Sequence, residues 1–196
     1  VAFDEAGRIQ TDSLDTSVNG AWAATDGVVD MLAARELDTT AAPAIIATQQ
    51  ALQNVLVEQD GNIQGVTDVY LDGRRTQVRT EETNLGNLTA DANLAVAAAY
   101  DPEVLVSIKN GGGIRADIGD SATRGPNLAA VDSDLGLSRD AGSIVQGDIQ
   151  GTLAFNNGLR LLTLTKQELI DVLEHGVGAL PTVDGRFPQV AGIKMH

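Results

Sequence analysis

The chain has no cysteine, few aromatic residues (3%) and only two histidines. Without cysteine there are no disulfides and no thiolate metal sites. Two distant histidines, His175 and the terminal His196, do not make a metal site of recognisable spacing. No stretch approaches the roughly 20 apolar residues needed to span a bilayer. There is no Gly-x-Ser-x-Gly nucleophile elbow and no EF-hand loop. Positive charge is scarce as well. The net charge is −14 and the pI about 4.3, and only Lys109, Lys166 and Lys194 among the 13 cations are lysine. Such a surface repels nucleic-acid backbone and anionic membrane, so neither is expected as a partner. A small anionic ligand remains open, because a local pair of arginines can overrule the global field.

What is present is enough for one well-buried domain: 196 residues, 43% of them apolar. The first 24 residues read as irregular or as a short hairpin turning at Asp4-Glu5-Ala6-Gly7. Thr25 is an N-cap signal for a helix carrying Val28, Val29, Leu32 and Glu36, broken at Asp38-Thr39-Thr40. Pro43 opens a second helix, with Ile45, Ile46, Leu52, Val55 and Leu56 as its buried stripe and Gly61 as its end.

Beyond this point strands and helices alternate. Ile63 to Leu71 reads as a strand, Asp72-Gly73 as a turn and Thr76 to Arg79 as a second strand. Asn84 to Tyr100 is a helix with Leu85, Leu88, Ala92, Ala95, Val96 and Ala99 on one side. Val104 to Ile108 has the continuous apolar character of a buried strand. Residues 119–142 read as a long exposed loop, Gln146 to Leu153 as a short helical turn and Leu159 to Leu164 as a strand. Thr165-Lys166-Gln167-Glu168 is a capping box opening a helix that Gly176 or Gly178 closes. Gln189 to Met195 reads as a final strand.

Three segments are candidates to carry chemistry. Arg79 precedes Glu81-Glu82-Thr83-Asn84-Leu85-Gly86-Asn87-Leu88, a helix start. Capping accounts for its polar residues but not for Gly86, which costs about 1 kcal/mol against alanine. A close approach of backbone or ligand would explain it. Asn110-Gly111-Gly112-Gly113-Ile114-Arg115 follows the 104–108 strand. It reads either as a flexible turn or as a sharp turn exposing backbone N–H groups where α/β sheets bind ligands. Its contiguous glycines match neither the dinucleotide fingerprint nor the P-loop. Phe155 sits among Gly151, Asn156, Asn157 and Gly158. A phenylalanine is ordinarily core, but one in a polar loop can stack on a planar ligand.

These segments, with Ala90-Asp91-Ala92 and Gly185-Arg186-Phe187-Pro188-Gln189-Val190-Ala191-Gly192, stand in the order and spacing of one family. Over residues 63–196 the chain resembles the C-terminal domain of 5′-nucleotidases, the metallophosphatase and UDP-sugar hydrolase family. The resemblance implies an α+β fold of layered sheets and helices, C-terminally truncated. It implies a linker and helices over residues 1–60 and an incomplete nucleoside-binding domain over 61–196. It implies that a separate N-terminal calcineurin-like domain holds two divalent metals and hydrolyses nucleoside monophosphates, so that this chain holds no cofactor and is inactive alone. The protein would be periplasmic or extracellular, with a nucleoside or nucleotide and its own N-terminal domain as partners. The alternatives are a non-catalytic nucleoside-binding or surface module, or a domain for another ester such as a nucleotide sugar, cyclic nucleotide or sulfur ester.

By motif position, Arg79 and Arg115 would take the ribose and phosphate side. Asn110 would hydrogen-bond the nucleoside with help from the Gly112 and Gly113 backbone, and Phe155 would stack on the base. Two departures stand out. The family's further Gly-Gly-Asp-Gly loop and second aromatic do not occur, and Ala154 stands where proline is usual.

Overall fold

The computed structural model describes residues 2–15, 25–35, 43–132 and 135–195. The chain divides into two compact units, Val1–Gln49 and Gln50–His196.

The first unit opens with a tight turn. Phe3 and Ile9 form an antiparallel bridge, and Gly7 takes a φ of 77° between them. The Asp4 carboxylate accepts from the Ala6 and Arg8 N–H groups at 2.9 and 2.8 Å, which holds the turn. Helix α1 follows at Asp26–Ala33. Thr25 has the extended backbone of an N-cap, but its side chain makes no capping bond. Glu36 and the expected break at Asp38-Thr39-Thr40 lie outside the described residues.

Helix α2, Pro43–Asp60, starts and stops where Pro43 and Gly61 place it. Its expected buried stripe does not exist. Ile45, Ile46, Leu52, Val55 and Leu56 are all exposed. No residue of α2 is buried, so apolar spacing alone misread this helix.

The second unit is α+β, with helices laid on small antiparallel sheets. Strand β1 (Ile63–Val66) pairs with β5 (Ser143–Val145), β2 (Ser107–Asn110) with β6 (Pro188–Ala191), and β3 (Ala130–Asp132) with β4 (Leu137–Arg139). Helix α3 (Asn84–Tyr100) lies against β2 and β6, α4 (Gln146–Thr152) follows β5, and α5 (Lys166–Val177) contacts β6. The core is Leu71, Val78, Leu85, Ile114 and Ile118, with Ile144 and Leu153 packed against it. Burying each such side chain stabilises the fold by about 1.5–3 kcal/mol.

Several expected elements come out differently. Residues 77–79 form a single 3₁₀ turn instead of a strand. The 63–71 strand ends at Val66, and Leu71 reaches Ile118 only by an isolated bridge. The strand expected at 104–108 is displaced to 107–110, and Leu105 is 74% exposed. The 119–142 loop contains the β3–β4 hairpin. Residues 159–164 form no strand, and Leu162 is 79% exposed. Helix α3 buries Leu85, Gly86, Thr89, Ala90 and Ala97, whereas Leu88 and Val96 face out.

The start of α3 is held by a buried glutamine. Gln189 of β6 is fully buried. Its Oε1 accepts from the Thr83 N–H at 3.0 Å, and its Nε2 donates to the Val78 and Glu81 carbonyls at 3.1 and 2.8 Å. That side chain lies directly on Gly86, where a Cβ would fall 1.9 Å from Gln189 Oε1. The glycine in the first turn is therefore explained by close packing inside the protein. The Thr83 hydroxyl caps the helix by accepting from the Gly86 N–H at 2.9 Å. Asn84 ties the same end to the preceding turn by donating to the Tyr70 carbonyl at 2.7 Å and accepting from the Asp72 N–H at 2.8 Å.

Candidate functional site

The Gln189 staple fixes the 77–83 segment against β6, and β2 runs beside β6 into the glycine turn. Arg79 and Asn110 are therefore carried by neighbouring pieces of one framework. Lys109 pairs with Gln189 in the ladder, and Asn110, the last residue of β2, pairs with Pro188.

Gly111, Gly112 and Gly113 then form a single 3₁₀ turn. The Gly111 N–H donates to the Phe187 carbonyl at 2.7 Å and the Gly112 N–H to the Gly185 carbonyl at 2.8 Å. A Cβ on Gly111 would lie 1.6 Å from the Val78 carbonyl oxygen, and one on Gly112 would lie 2.9 Å from Gly185 Cα. These two glycines let three backbone segments meet. At Gly113 the surroundings are looser, with Asn110 Oδ1 the nearest atom to a built Cβ at 3.6 Å. The turn is thus built by internal packing rather than being flexible, and the Gly112 N–H is engaged within the protein.

Around this turn the side chains singled out by sequence are contiguous. Arg79 lies beside Gly185, its Cζ 3.9 Å from the place a Cβ there would occupy. Arg115 returns to the turn by donating from Nη1 to the Gly112 carbonyl at 3.3 Å. Its backbone N–H donates to the carbonyl of Thr152, the last residue of α4, and its guanidinium lies 5.7 Å from the Phe155 ring centroid. That distance suits a cation–π contact. Phe155 is 54% exposed, so it is no core residue. Together with Asn110 and Gly113 it lines a cleft of about 340 Å³. Arg79 and Arg115 do not line this cleft; they border the glycine turn.

The electrostatics of the turn are unusual for so acidic a chain. The Arg79 Nε is buried with no hydrogen-bond partner. Burial, and then repulsion from Arg75 and Arg115, hold its pKa below the ordinary arginine value, while Asp184 acts in the opposite direction. Arginine stays charged regardless. The result is a cluster of guanidinium groups beside backbone turns, suited to holding an anion or vicinal hydroxyls by forked hydrogen bonds.

The sequence assigns no site role to Arg75, Lys109 or Arg160, and Gly185 and Gln189 enter only as members of the 185–192 segment that carries the resemblance. Arg75 stands four residues before Arg79, a spacing that could have flagged it had 76–79 been read as helical. Lys109 and Arg160 also line the cleft. Burial pulls the Lys109 ammonium below its usual pKa.

Among the described residues no group of three or more His, Cys, Asp or Glu side chains is placed to hold a metal ion. The two divalent metals implied by the resemblance therefore find no ligand set in the described part of this chain. No helix among the described residues is long and apolar enough to cross a membrane.

The chain is similar to several known proteins. The chain is 36% identical over 194 residues, 99% of its length and 11% of the other, to the trifunctional nucleotide phosphoesterase protein YfkN of Bacillus subtilis. It is 31% identical over 134 residues to the 5′-nucleotidase of Bos taurus, covering 66% of this chain and 20% of that one. The crystal structure of a 5′-nucleotidase precursor from Thermus thermophilus superposes with a TM-score of 0.53 at 28% identity, covering 76% of this chain and 24% of that one. The chain thus spans no more than a quarter of the length of any of these three. The sequence profile described as 5′-nucleotidase, C-terminal domain, matches residues 63–196, and the chain belongs to that family.

Proposed function

We propose that this chain is the nucleoside-recognition domain of a metal-dependent 5′-nucleotidase that hydrolyses nucleoside monophosphates to nucleoside and phosphate. The supporting observation is the shared glycine turn. Asn110, Gly113 and Phe155 face one cleft, and Arg79 and Arg115 border the same turn. In this reading Phe155 stacks on the base, and Asn110 hydrogen-bonds the nucleoside beside Gly113. The guanidinium groups of Arg79 and Arg115 take the ribose and phosphate side. Gly112 contributes by letting the backbone approach closely.

The hydrolytic metals would belong to an N-terminal metallophosphatase domain, which is this domain's partner, and they would supply the activated hydroxide. The parent protein would work in the periplasm or outside the cell. A related reading widens the ester: the extensive match to a protein called a trifunctional nucleotide phosphoesterase favours other nucleotide esters as additional substrates.

The test is a titration of the chain with adenosine and AMP, followed by calorimetry or equilibrium dialysis. Binding is expected in the ~100 μM to ~mM range, since one stacked aromatic contributes about 1–3 kcal/mol and tenfold in affinity is about 1.4 kcal/mol. AMP should bind more tightly than adenosine. No binding of these, of guanosine or of inosine would remove the nucleoside reading. Metal-dependent release of phosphate from AMP by the pure chain would overturn the assignment of catalysis to another domain.

A further inference from the structure

The cleft beside Phe155 carries a charge pattern opposite to that of the whole chain. Among the described residues its charged lining is Lys109 and Arg160, with no carboxylate, although the chain as a whole has a net charge of −14. The ion pairs found among the described residues leave both cations out. Arg160 Nη1 reaches only the carbonyl of its neighbour Leu159, at 3.5 Å. Lys109 stands next to Asn110, with its Cε 4.0 Å from the place a Cβ on Gly113 would occupy. Its ammonium is half-buried, and that burial disfavours the charged form. A ligand atom that accepts hydrogen bonds would relieve this cost.

The phosphate side of the proposed site already has Arg79 and Arg115, neither of which lines the cleft. The two cleft cations therefore face a different part of the ligand, the part that shares the cavity with the aromatic ring. We propose that Lys109, assisted by Arg160, reads the acceptor edge of the base and makes the site selective for 6-oxopurines (guanine or hypoxanthine) over adenine. This rests on the nucleoside reading of the cleft. An ammonium offers three donors and no acceptor. A 6-oxopurine presents O6 and N7 as adjacent acceptors. Adenine puts an amino donor where O6 would be, so it meets Lys109 donor against donor.

The experiment titrates guanosine, inosine and adenosine into the 196-residue chain and into the Lys109→Met and Lys109→Arg variants. Circular dichroism checks that each variant is folded. Guanosine and inosine should bind about tenfold more tightly than adenosine, the order of discrimination a good base-edge contact gives. Lys109→Met should bring the three nucleosides within about twofold of one another by weakening the oxopurines alone, and Lys109→Arg should keep the preference. Equal affinities in the unaltered chain, or a parallel loss for all three nucleosides in Lys109→Met, would overturn this inference and leave the nucleoside site standing. If no nucleoside binds the unaltered chain, the nucleoside reading falls and this inference falls with it. A 3′-phosphorylated adenosine that outbinds guanosine and depends on Lys109 would reassign the cations to a second phosphate, also overturning the proposal.

Discussion

Two sets of polar groups near the 77–83 segment are finished differently. In the first, the Gln189 amide satisfies Thr83, Val78 and Glu81 with good hydrogen bonds inside the core. In the second, Arg79 has a buried Nε with no partner among the described residues, and Lys109, half-buried, enters none of the ion pairs found among them. A buried polar group left unpaired costs about 1–3 kcal/mol. The first set removes that cost and holds the fold. The second retains it at Arg79, beside the glycine turn. In the proposed reading, stability and recognition fall to different polar groups.

The largest way to break this contrast is Gln189→Leu. It leaves a donor and two carbonyls without partners in the core and should lower the unfolding free energy by about 3 kcal/mol or more, read from urea denaturation. A loss below about 1 kcal/mol would mean the staple is not what positions the α3 start. Arg79→Met should act in the opposite sense. AMP affinity should fall by about tenfold or more, as charge-assisted bonds are worth about 1.5–3 kcal/mol, while stability holds or rises. A marked loss of stability would show that Arg79 is structural. Phe155→Ala should weaken every nucleoside by about 1–3 kcal/mol. Because the ring is exposed, the unfolding free energy should move little, within about 0.5 kcal/mol.

The parts of this design that were legible in the sequence are those written in local chemistry. Thr83 and Asn84 gave the start of α3, and Thr165 with Glu168 gave the start of α5, because caps act within a few residues. The expectation that Arg79, Asn110, Arg115 and Phe155 share one site comes only from resemblance to a family, since nothing local connects residues so far apart; Asn110 and Phe155 line one cleft, whereas Arg79 and Arg115 border the glycine turn. Apolar runs misled where burial depends on distant packing. Val104 to Val106 looks like a core strand, yet the ladder begins at Ser107, where β6 lies alongside. The α2 leucines and isoleucines show helical spacing and are nonetheless exposed. Gly86 was recognised as costly, but its cause lies more than 100 positions away at Gln189. Lys109 gave no signal, because a single lysine in an alternating strand normally faces solvent.

The smallest expected effect lies at α5, away from both polar regions, and it sharpens the contrast as a control. The Thr165 N–H and hydroxyl donate to the Glu168 carboxylate at 2.7 and 2.8 Å, and the Glu168 N–H donates back to the Thr165 hydroxyl at 3.3 Å. The two donations to the carboxylate hold the Glu168 pKa below its ordinary value of 4.5. A carboxyl whose pKa is depressed by folding stabilises the fold above its unfolded pKa and loses that contribution as the pH falls through the folded one. Thr165→Ala should therefore cost about 1 kcal/mol at neutral pH, the usual worth of such a cap. The gap between variant and parent should narrow below pH 4.5, as Glu168 takes up its proton. Nucleoside affinity should stay the same in this variant. A change in binding here would mean that α5 communicates with the glycine turn through β6, and that the separation between holding groups and binding groups is less clean than the hydrogen bonds indicate.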